Sequence, residues 1–351
     1  MPSSSRSASC PPAAARSASL ADVAALAGVS AGTVSRALSR PEMLTAATRE
    51  RVLAAAERLG YVANGAARAL AMRRTFTVGA IVPRFGLSAF PGMVQALETT
   101  LAAAGYTLLL SAPESQRGQD PALLRALLER GVDAVALLGA EQPPAMFSAL
   151  AAHRRPFVLL WAQHSPHGPC VGFDEAAAGA QVIAHLAALG HRQVGILSGS
   201  TAHNERAQSR LQGLTSAIAQ HGLQLPAGAL VETSTGFAEG FAAMQGLIAQ
   251  RAPVTAVVCA NDYLAAGALS ALDRAGIAVP AQMSVASFND NDFAAYLHPP
   301  LTTVQLPIRG IGEQAGLQLL AALRGDPVEA NTALDTALVV RESTGPAPRA
   351  L

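Results

Sequence analysis

Apolar and polar positions follow two different rhythms along the chain. From Ser19 to Leu59 the rhythm is helical. Leu20, Val23, Ala24 and Ala27 share one face, and Ser19 with Asp22 three residues later has the form of a capping box. Gly28-Val29-Ser30 interrupts this helix, and Ser30 can cap a second one over Ala31–Leu38, ended by Pro41. Thr45 caps a third, Ala46–Leu59, with Val52, Ala55, Ala56 and Leu59 on one face and Gly60 as its stop. Three helices this short make one small domain.

After Arg73-Arg74 the pattern becomes strand–helix alternation. Apolar runs predict buried strands at Thr77–Val82, Thr107–Ser111, Ala134–Leu138, Phe157–Trp161, Gln193–Leu197, Ala256–Cys259 and Met283–Ser287. Ala/Leu-rich stretches between them predict helices at Gly92–Ala104, Pro121–Arg130, Pro143–His153, Ala176–Leu189, Arg206–His221, Gly236–Arg251 and Tyr263–Ala275. Repeated βα units imply parallel sheets, and this length suits two lobes better than one doubly wound domain. The Pro/Gly-rich tail Glu342–Leu351 is expected to be loose.

Charge divides along the same line. The chain of 351 residues carries a formal net charge of +1, but residues 1–74 hold ten Arg against four acids and the remainder is net acidic. A small basic N-terminus on a larger acidic body suggests contact with a polyanion. No run is long and apolar enough for a membrane span. Cys10, Cys170 and Cys259 are too few and scattered for a disulfide framework, which fits a reducing, cytoplasmic setting. Residues 1–17 are rich in Ser, Ala, Pro and Arg and read as a disordered leader rather than a targeting peptide.

Catalytic templates are missing: there is no P-loop, no G-x-G-x-x-G after the first strand, no H-E-x-x-H and no G-x-S-x-G. No enzyme activity and no cofactor are therefore expected. His164, His167 and Cys170 have metal-ligand types but sit in a Pro/Gly-rich connection and read as a surface loop. Asn289-Asp290-Asn291-Asp292 follows a strand end and reads as a turn or ligand-facing loop, with cation binding the lesser alternative. Residues 20–38 have the spacing of a helix-turn-helix. Ala24, Ala25 and Ala27 are small enough for close helix packing, Gly28 suits the turn, and Val29 and Val34 fill the core. Ala31, Gly32, Thr33, Ser35 and Arg36 then face outward at the start of the second helix, where hydroxyls, amides and an Arg suit phosphates and guanine.

These motifs resemble the LacI/GalR family of bacterial regulators. The resemblance rests on Asp22-Val23-Ala24, Ala27-Gly28-Val29-Ser30, Thr33-Val34-Ser35-Arg36, Thr48-Arg49, Leu59-Gly60-Tyr61, Asn64, Arg68 and Leu70. In the body it rests on Leu189-Gly190-His191, Arg210-Leu211-Gln212-Gly213, Ala260-Asn261-Asp262, Gly267-Ala268 and Pro299-Pro300-Leu301-Thr302-Thr303. It covers residues 18–345. Val171-Gly172-Phe173-Asp174, Trp161 and Phe237 look closest to the gluconate-operon branch.

The resemblance implies an α/β chain with an all-α helix-turn-helix domain and two periplasmic-binding-protein-like lobes of doubly wound parallel sheet. The implied boundaries are 18–63 for the DNA-binding domain, 64–75 for a hinge helix and linker, 76–173 plus 304–328 for one lobe, and 174–303 plus 329–345 for the other. Ala31, Gly32 and Arg36 would lie in the major groove of a pseudo-palindromic operator, with Thr33, Ser35, Ser39 and Tyr61 near the backbone. Asn64 to Leu70, Ala67 included, would form a hinge helix that folds on DNA and wedges Leu70 into the minor groove. Gly65 weakens that helix by about 1 kcal/mol relative to Ala. The partners implied are operator DNA, a second copy of the chain in a homodimer, and a small-molecule effector between the lobes. Ser343–Leu351 cannot supply the leucine-rich helix of a tetramer.

Effector contacts are expected from Phe90, Trp161, Arg206, Arg210, Phe237, Asn261 and Asn289. Arg210 offers a fork of donors to a carboxylate or vicinal hydroxyls, unless it pairs with Asp262 or Glu239. Asn289 in place of an Asp favours an anionic ligand, and Thr235 in place of an aromatic disfavours a stacked base. A sugar acid such as gluconate is the expected effector, releasing a repressor of carbohydrate or sugar-acid catabolic genes.

Overall fold

The computed structural model describes residues 18–39, 41–62, 65–72, 74–82, 89–112, 120–202 and 204–348. The leader expected over 1–17, and Asn64, lie outside these residues. The chain forms two compact units, one up to Thr75 and one from Phe76 onward.

The first unit holds helices α1 (Leu20–Ala27), α2 (Ala31–Ser39), α3 (Ala46–Arg58) and α4 (Gly65–Met72). Ser19 and Asp22 form the reciprocal capping box, and Gly28 ends α1 at φ 65°, a left-handed conformation that costs glycine nothing. Ser30 Oγ accepts from Thr33 N at 3.1 Å and Thr45 Oγ1 from Thr48 N at 3.4 Å, so α2 and α3 start on their expected caps. Val23, Ala24, Ala27, Val34, Ala37, Val52, Ala55 and Ala56 form the core. Two expectations fail here. Ala25 is exposed and takes no part in helix packing. Leu59 caps α3 and is 36% exposed rather than buried.

The second unit contains two six-stranded sheets. The first has the order β11-β5-β4-β3-β1-β2, from β1 (Thr77–Ile81), β2 (Thr107–Ser111), β3 (Ala134–Leu138), β4 (Phe157–Leu160), β5 (Cys170–Gly172) and β11 (Asn331–Ala333), all parallel. Its helices are α5 (Phe90–Ala103), α6 (Pro121–Glu129), α7 (Pro144–Ala152) and α12 (Ile308–Arg324). The second has the order β12-β10-β9-β8-β6-β7, from β6 (Val194–Gly199), β7 (Leu230–Thr233), β8 (Ala256–Cys259), β9 (Ser284–Asn289), β10 (Thr302–Gln305) and β12 (Ala337–Val339). Only β12 runs antiparallel, against β10. Its helices are α8 (Glu175–Ala188), α9 (Glu205–Gln220), α10 (Phe237–Ala249) and α11 (Asp262–Arg274). Strands such as Ala134–Leu138 are buried at every position, which is why they read as unbroken apolar runs.

The chain passes between sheets three times: after β5, after β10, and between β11 and β12. The last passage corrects the expected return at residue 329, because Asn331–Ala333 pairs with Cys170–Gly172 in the first sheet. The tail is corrected too. Ser343 is fully buried; its Oγ accepts from Thr302 N at 2.8 Å and donates to the Val285 carbonyl at 2.6 Å. Gly345 N donates to Ser284 Oγ at 3.1 Å, and its carbonyl meets the His191 ring at the same distance. Hydroxyls, not apolar side chains, tie this segment down.

Candidate functional site

The first candidate surface is the start of α2. Ala31, Gly32, Ser35 and Arg36 are exposed, while Thr33 and Ser39 are half-buried. Arg36 Nε donates to the Gly32 carbonyl at 3.1 Å, so the one long side chain lies back across the position that has none. Ser39 Oγ donates to the Ser35 carbonyl at 2.7 Å. Tyr61 is half-buried against the helical core. On α4, Leu70 is 84% exposed, a position no folded core demands. Ala67 lies within the same helix.

The second is a cleft of about 790 Å³ in the body, with β4, β6, β8 and β9 ending at or near it. Residues of both lobes line it, among them Phe90, Gly139, Glu141 and Trp161 from one and Glu175, Glu205, Arg206, Arg210, Asn261 and Asn289 from the other. Parallel sheets collect ligands at this end of their strands. Trp161 follows β4 at φ 54°, packs edge-on against Phe90 at 5.6 Å and tilts against Phe173 at 5.7 Å.

Arg210 does not stand free. Its Nε donates to Glu175 Oε2 at 2.7 Å, its Nη2 lies 2.7 Å from the same oxygen, and its Nη1 donates to the Ala260 carbonyl at 2.8 Å. The guanidinium lies 4.6 Å from the Phe288 ring centre. The other Glu175 oxygen accepts from Trp161 Nε1 at 2.7 Å. Glu175 thus joins a residue of the first lobe to one of the second. The expected alternative partners, Asp262 and Glu239, are not the ones used. Asp262 instead accepts from Ser287, Thr303 and both nitrogens of Asn291. Burial pushes its carboxyl upward and these donors oppose that.

Packing explains how Glu175 reaches Arg210. A Cβ on Gly213 would collide with the backbone of Ala176, and one on Gly179 would lie 3.1 Å from the Arg210 carbonyl. Glycine on both helices lets α8 and α9 approach closely, one turn from the ion pair. Glu175 is the residue sequence reasoning missed. It follows the helix cap Asp174, and an acid in the first turn of a helix has a local role that signals no distant partner.

Asn261 is committed to the fold: Oδ1 accepts from Leu264 N at 2.8 Å, capping α11, and Nδ2 donates to the Thr235 carbonyl at 3.1 Å. Asn289 lines the cleft with its backbone at φ 110°. Phe237 does not line it. It packs against Tyr263 at 5.1 Å and Phe293 at 6.1 Å, outside the cleft. Arg206 lies 6.0 Å from the Trp161 ring centre and, with Glu141, Glu205 and Glu239, supplies the cleft's remaining charge. The Glu205 backbone N–H donates to Glu141 Oε2 at 3.2 Å, a contact between lobes at the start of α9.

His167 stacks on Phe147 at 4.0 Å, Cys170 is buried, and Asp290 pairs with Arg341 at 2.7 Å. Among the described residues no three His, Cys, Asp or Glu gather as a metal site, and no helix is long and apolar enough to cross a membrane.

Comparison with known proteins bears on both surfaces. Residues 19–64 match the profile of bacterial regulatory proteins of the lacI family, and residues 183–344 that of a periplasmic binding protein-like domain. The transcriptional repressor CytR of Escherichia coli K12 is 32% identical over 336 residues, which span 94% of this chain and 97% of CytR. The chain belongs to the lacI family. As a lacI-family protein it is a DNA-binding transcriptional regulator with an effector-binding domain, and not an enzyme. A solved structure of the lac repressor dimer bound to operator and the anti-inducer ONPF is similar across 94% of this chain and all of that one, at 27% identity and a TM-score of 0.84. The transcription regulator GntR from Chromobacterium violaceum is 33% identical, covering 76% of this chain and 99% of that one, with a TM-score of 0.72.

Proposed function

We propose that this lacI-family regulator is a cytoplasmic, homodimeric repressor of carbohydrate or sugar-acid catabolic genes. It binds a pseudo-palindromic operator through α2 and leaves it when a small polyhydroxylated effector occupies the body cleft. The supporting observation is the cleft, whose lining combines the aromatic side chains of Trp161 and Phe90 with the polar groups of Ser198, Ser200, Thr235 and Asn289. Aromatic side chains together with several hydroxyl and amide groups in one cleft suit a sugar ring or an open polyol chain. At the DNA surface, Arg36 would read a base, Ala31 and Gly32 would make close contact, and Thr33, Ser35, Ser39, Tyr61 and Asn64 would meet the backbone. Ala67 and Leu70 would belong to the minor-groove wedge.

Effector and operator favour different arrangements in this reading, so each weakens the other by the same factor, typically about 5–150-fold. Trp161 is the chain's only tryptophan, so its fluorescence reports the cleft directly. Titration of gluconate and glucose should change it, and the active compound should weaken binding of a labelled operator fragment at fixed salt. A compound that shifts Trp161 but leaves operator affinity unchanged, while operator leaves its binding unchanged, would refute the coupling.

A further inference from the structure

The cleft holds two arginines one helical turn apart, and the structure gives them opposite fates. Arg210 is consumed by Glu175 and the Ala260 carbonyl. Among the described residues Arg206 makes no hydrogen bond and no ion pair; its one marked contact is the Trp161 ring. Resting on the effector reading above, we infer that Arg206, not Arg210, is the specificity residue, and that it selects a ligand carrying a carboxylate or phosphate beside its hydroxyls.

Three observations support this. Arg206 is half-buried as a residue, and burial lowers its proton affinity, with the Glu175 charge the largest effect opposing that. A planar fork of donors held partly out of water without acceptors costs free energy that a bidentate anion returns. Second, the first lobe leaves room for it. Gly139 adopts φ 81°, and a Cβ there would come within 2.9 Å of Arg206 Nη1. Third, Arg206 Cζ lies over the Trp161 ring at 6.0 Å from its centre, within reach of a cation–π attraction toward that face. Glu141, Glu205 and Glu239 also line the cleft and oppose an anion; Glu141 and Glu205 are exposed, where solvent and salt weaken their field, while Glu239 is half-buried. Glu141 is further engaged by the Glu205 backbone N–H. The Glu175 charge is matched by Arg210.

Calorimetry and Trp161 fluorescence on the full chain decide the matter with four probes: gluconate, glucose, glucose 6-phosphate and inorganic phosphate. The expected result is that gluconate or glucose 6-phosphate binds and glucose does not, with the stronger of the two naming carboxylate or phosphate. Arg206→Gln should lose about 10–150-fold in affinity for that anion, the worth of charged hydrogen bonds. Arg206→Lys should recover part of the loss, because it restores charge without the fork. Operator binding without ligand should be unchanged in both, which separates lost recognition from lost folding. Glucose binding at least as tightly as the anions would overturn the Arg206 inference and leave the effector reading standing. So would an Arg206→Gln protein that binds the anion like the parent. Silence of all four probes would overturn both.

Discussion

Replacing Glu175 by Ala should be among the most destabilising single changes in the body. The carboxylate is the shared acceptor of Arg210 and Trp161, with side-chain exposures of only 7% for Glu175 and 13% for Arg210. Removing it leaves Arg210 with the Ala260 carbonyl alone and Trp161 Nε1 without its acceptor. Breaking a buried pair from one side costs about 3–5 kcal/mol, because the remaining charge keeps its desolvation penalty. The residual exposure of Arg210 moves the expected loss to the lower end, about 3 kcal/mol. Glu175→Gln keeps an acceptor for either neighbour and should lose about 1–2 kcal/mol. Urea unfolding followed by Trp161 fluorescence reads both, since the only tryptophan reports on its own partner. In the double variant Glu175→Gln/Arg210→Met the losses should fall short of their sum by about 1 kcal/mol or more, the sign of direct coupling. A Glu175→Ala protein losing under about 1 kcal/mol with an unchanged urea slope would show that solvent already carries the pair.

Other outcomes follow from single features. Leu70→Ala should leave the fold intact and weaken operator binding by a few kcal/mol at matched salt; unchanged affinity would remove the wedge role. Arg36→Ala should relax discrimination at one base pair per half-site by about 1–3 kcal/mol, whereas equal weakening on all sequences would make Arg36 a phosphate contact. Burial raises the Cys170 thiol to about 11 and pushes Cys259 up as well, so a thiol reagent at neutral pH should modify these two only after unfolding; rapid labelling of Cys259 in the native protein would contradict its burial. His191 and His185 are pushed below the usual histidine value by burial. The unfolded chain therefore binds more protons just below pH 6.5, so their contribution is full above that pH and is lost as pH falls through the folded values. Urea midpoints from pH 8 to 5 should show this decline, and His191→Asn should flatten it.

The parts legible in the sequence are those fixed by local rules. Caps at Ser19, Ser30 and Thr45 and the periodicity of Val23, Ala27, Val52 and Ala55 place the DNA-binding helices without tertiary information. Central strands β1, β3 and β8 announce themselves because they are buried on both faces. Strands β5, β7, β10, β11 and β12, three or four residues each, do not. Leu230–Thr233 is half exposed, and Asn331–Ala333 has three residues and no apolar pattern, so its sheet is decided by register with Cys170–Gly172. The same limit governs the cleft. Trp161 and Arg210 lie where a strand end and a helix start point them inward, which sequence position conveys. That Glu175 claims Arg210 across 35 residues, leaving Arg206 open, depends on helix–helix approach at Gly179 and Gly213.

The DNA surface carries a related consequence. Two of the proposed reading positions, Ala31 and Gly32, have almost no polar reach, and the third, Arg36, rests on the carbonyl that Gly32 leaves uncovered. A Cβ at position 32 would lie 3.7 Å from Arg36 Nη2, so even a small side chain there would sit against the guanidinium. The bare Gly32 and the posture of Arg36 are therefore neighbours in one contact. On the proposed docking, Arg36 gives up a hydrogen bond worth about 1 kcal/mol before it reads a base, which narrows its margin for discrimination. A helix with one long reading group has few ways to separate operators by direct contact. On the proposed docking the remainder comes from how readily each operator bends around the Leu70 wedge, since unstacking at a flexible step costs less than at a stiff one. Leu70 then contributes to selection as well as affinity. Operators differing only at the central step should separate more strongly with the parent protein than with Leu70→Ala. Equal separation by both would return the whole burden of specificity to α2.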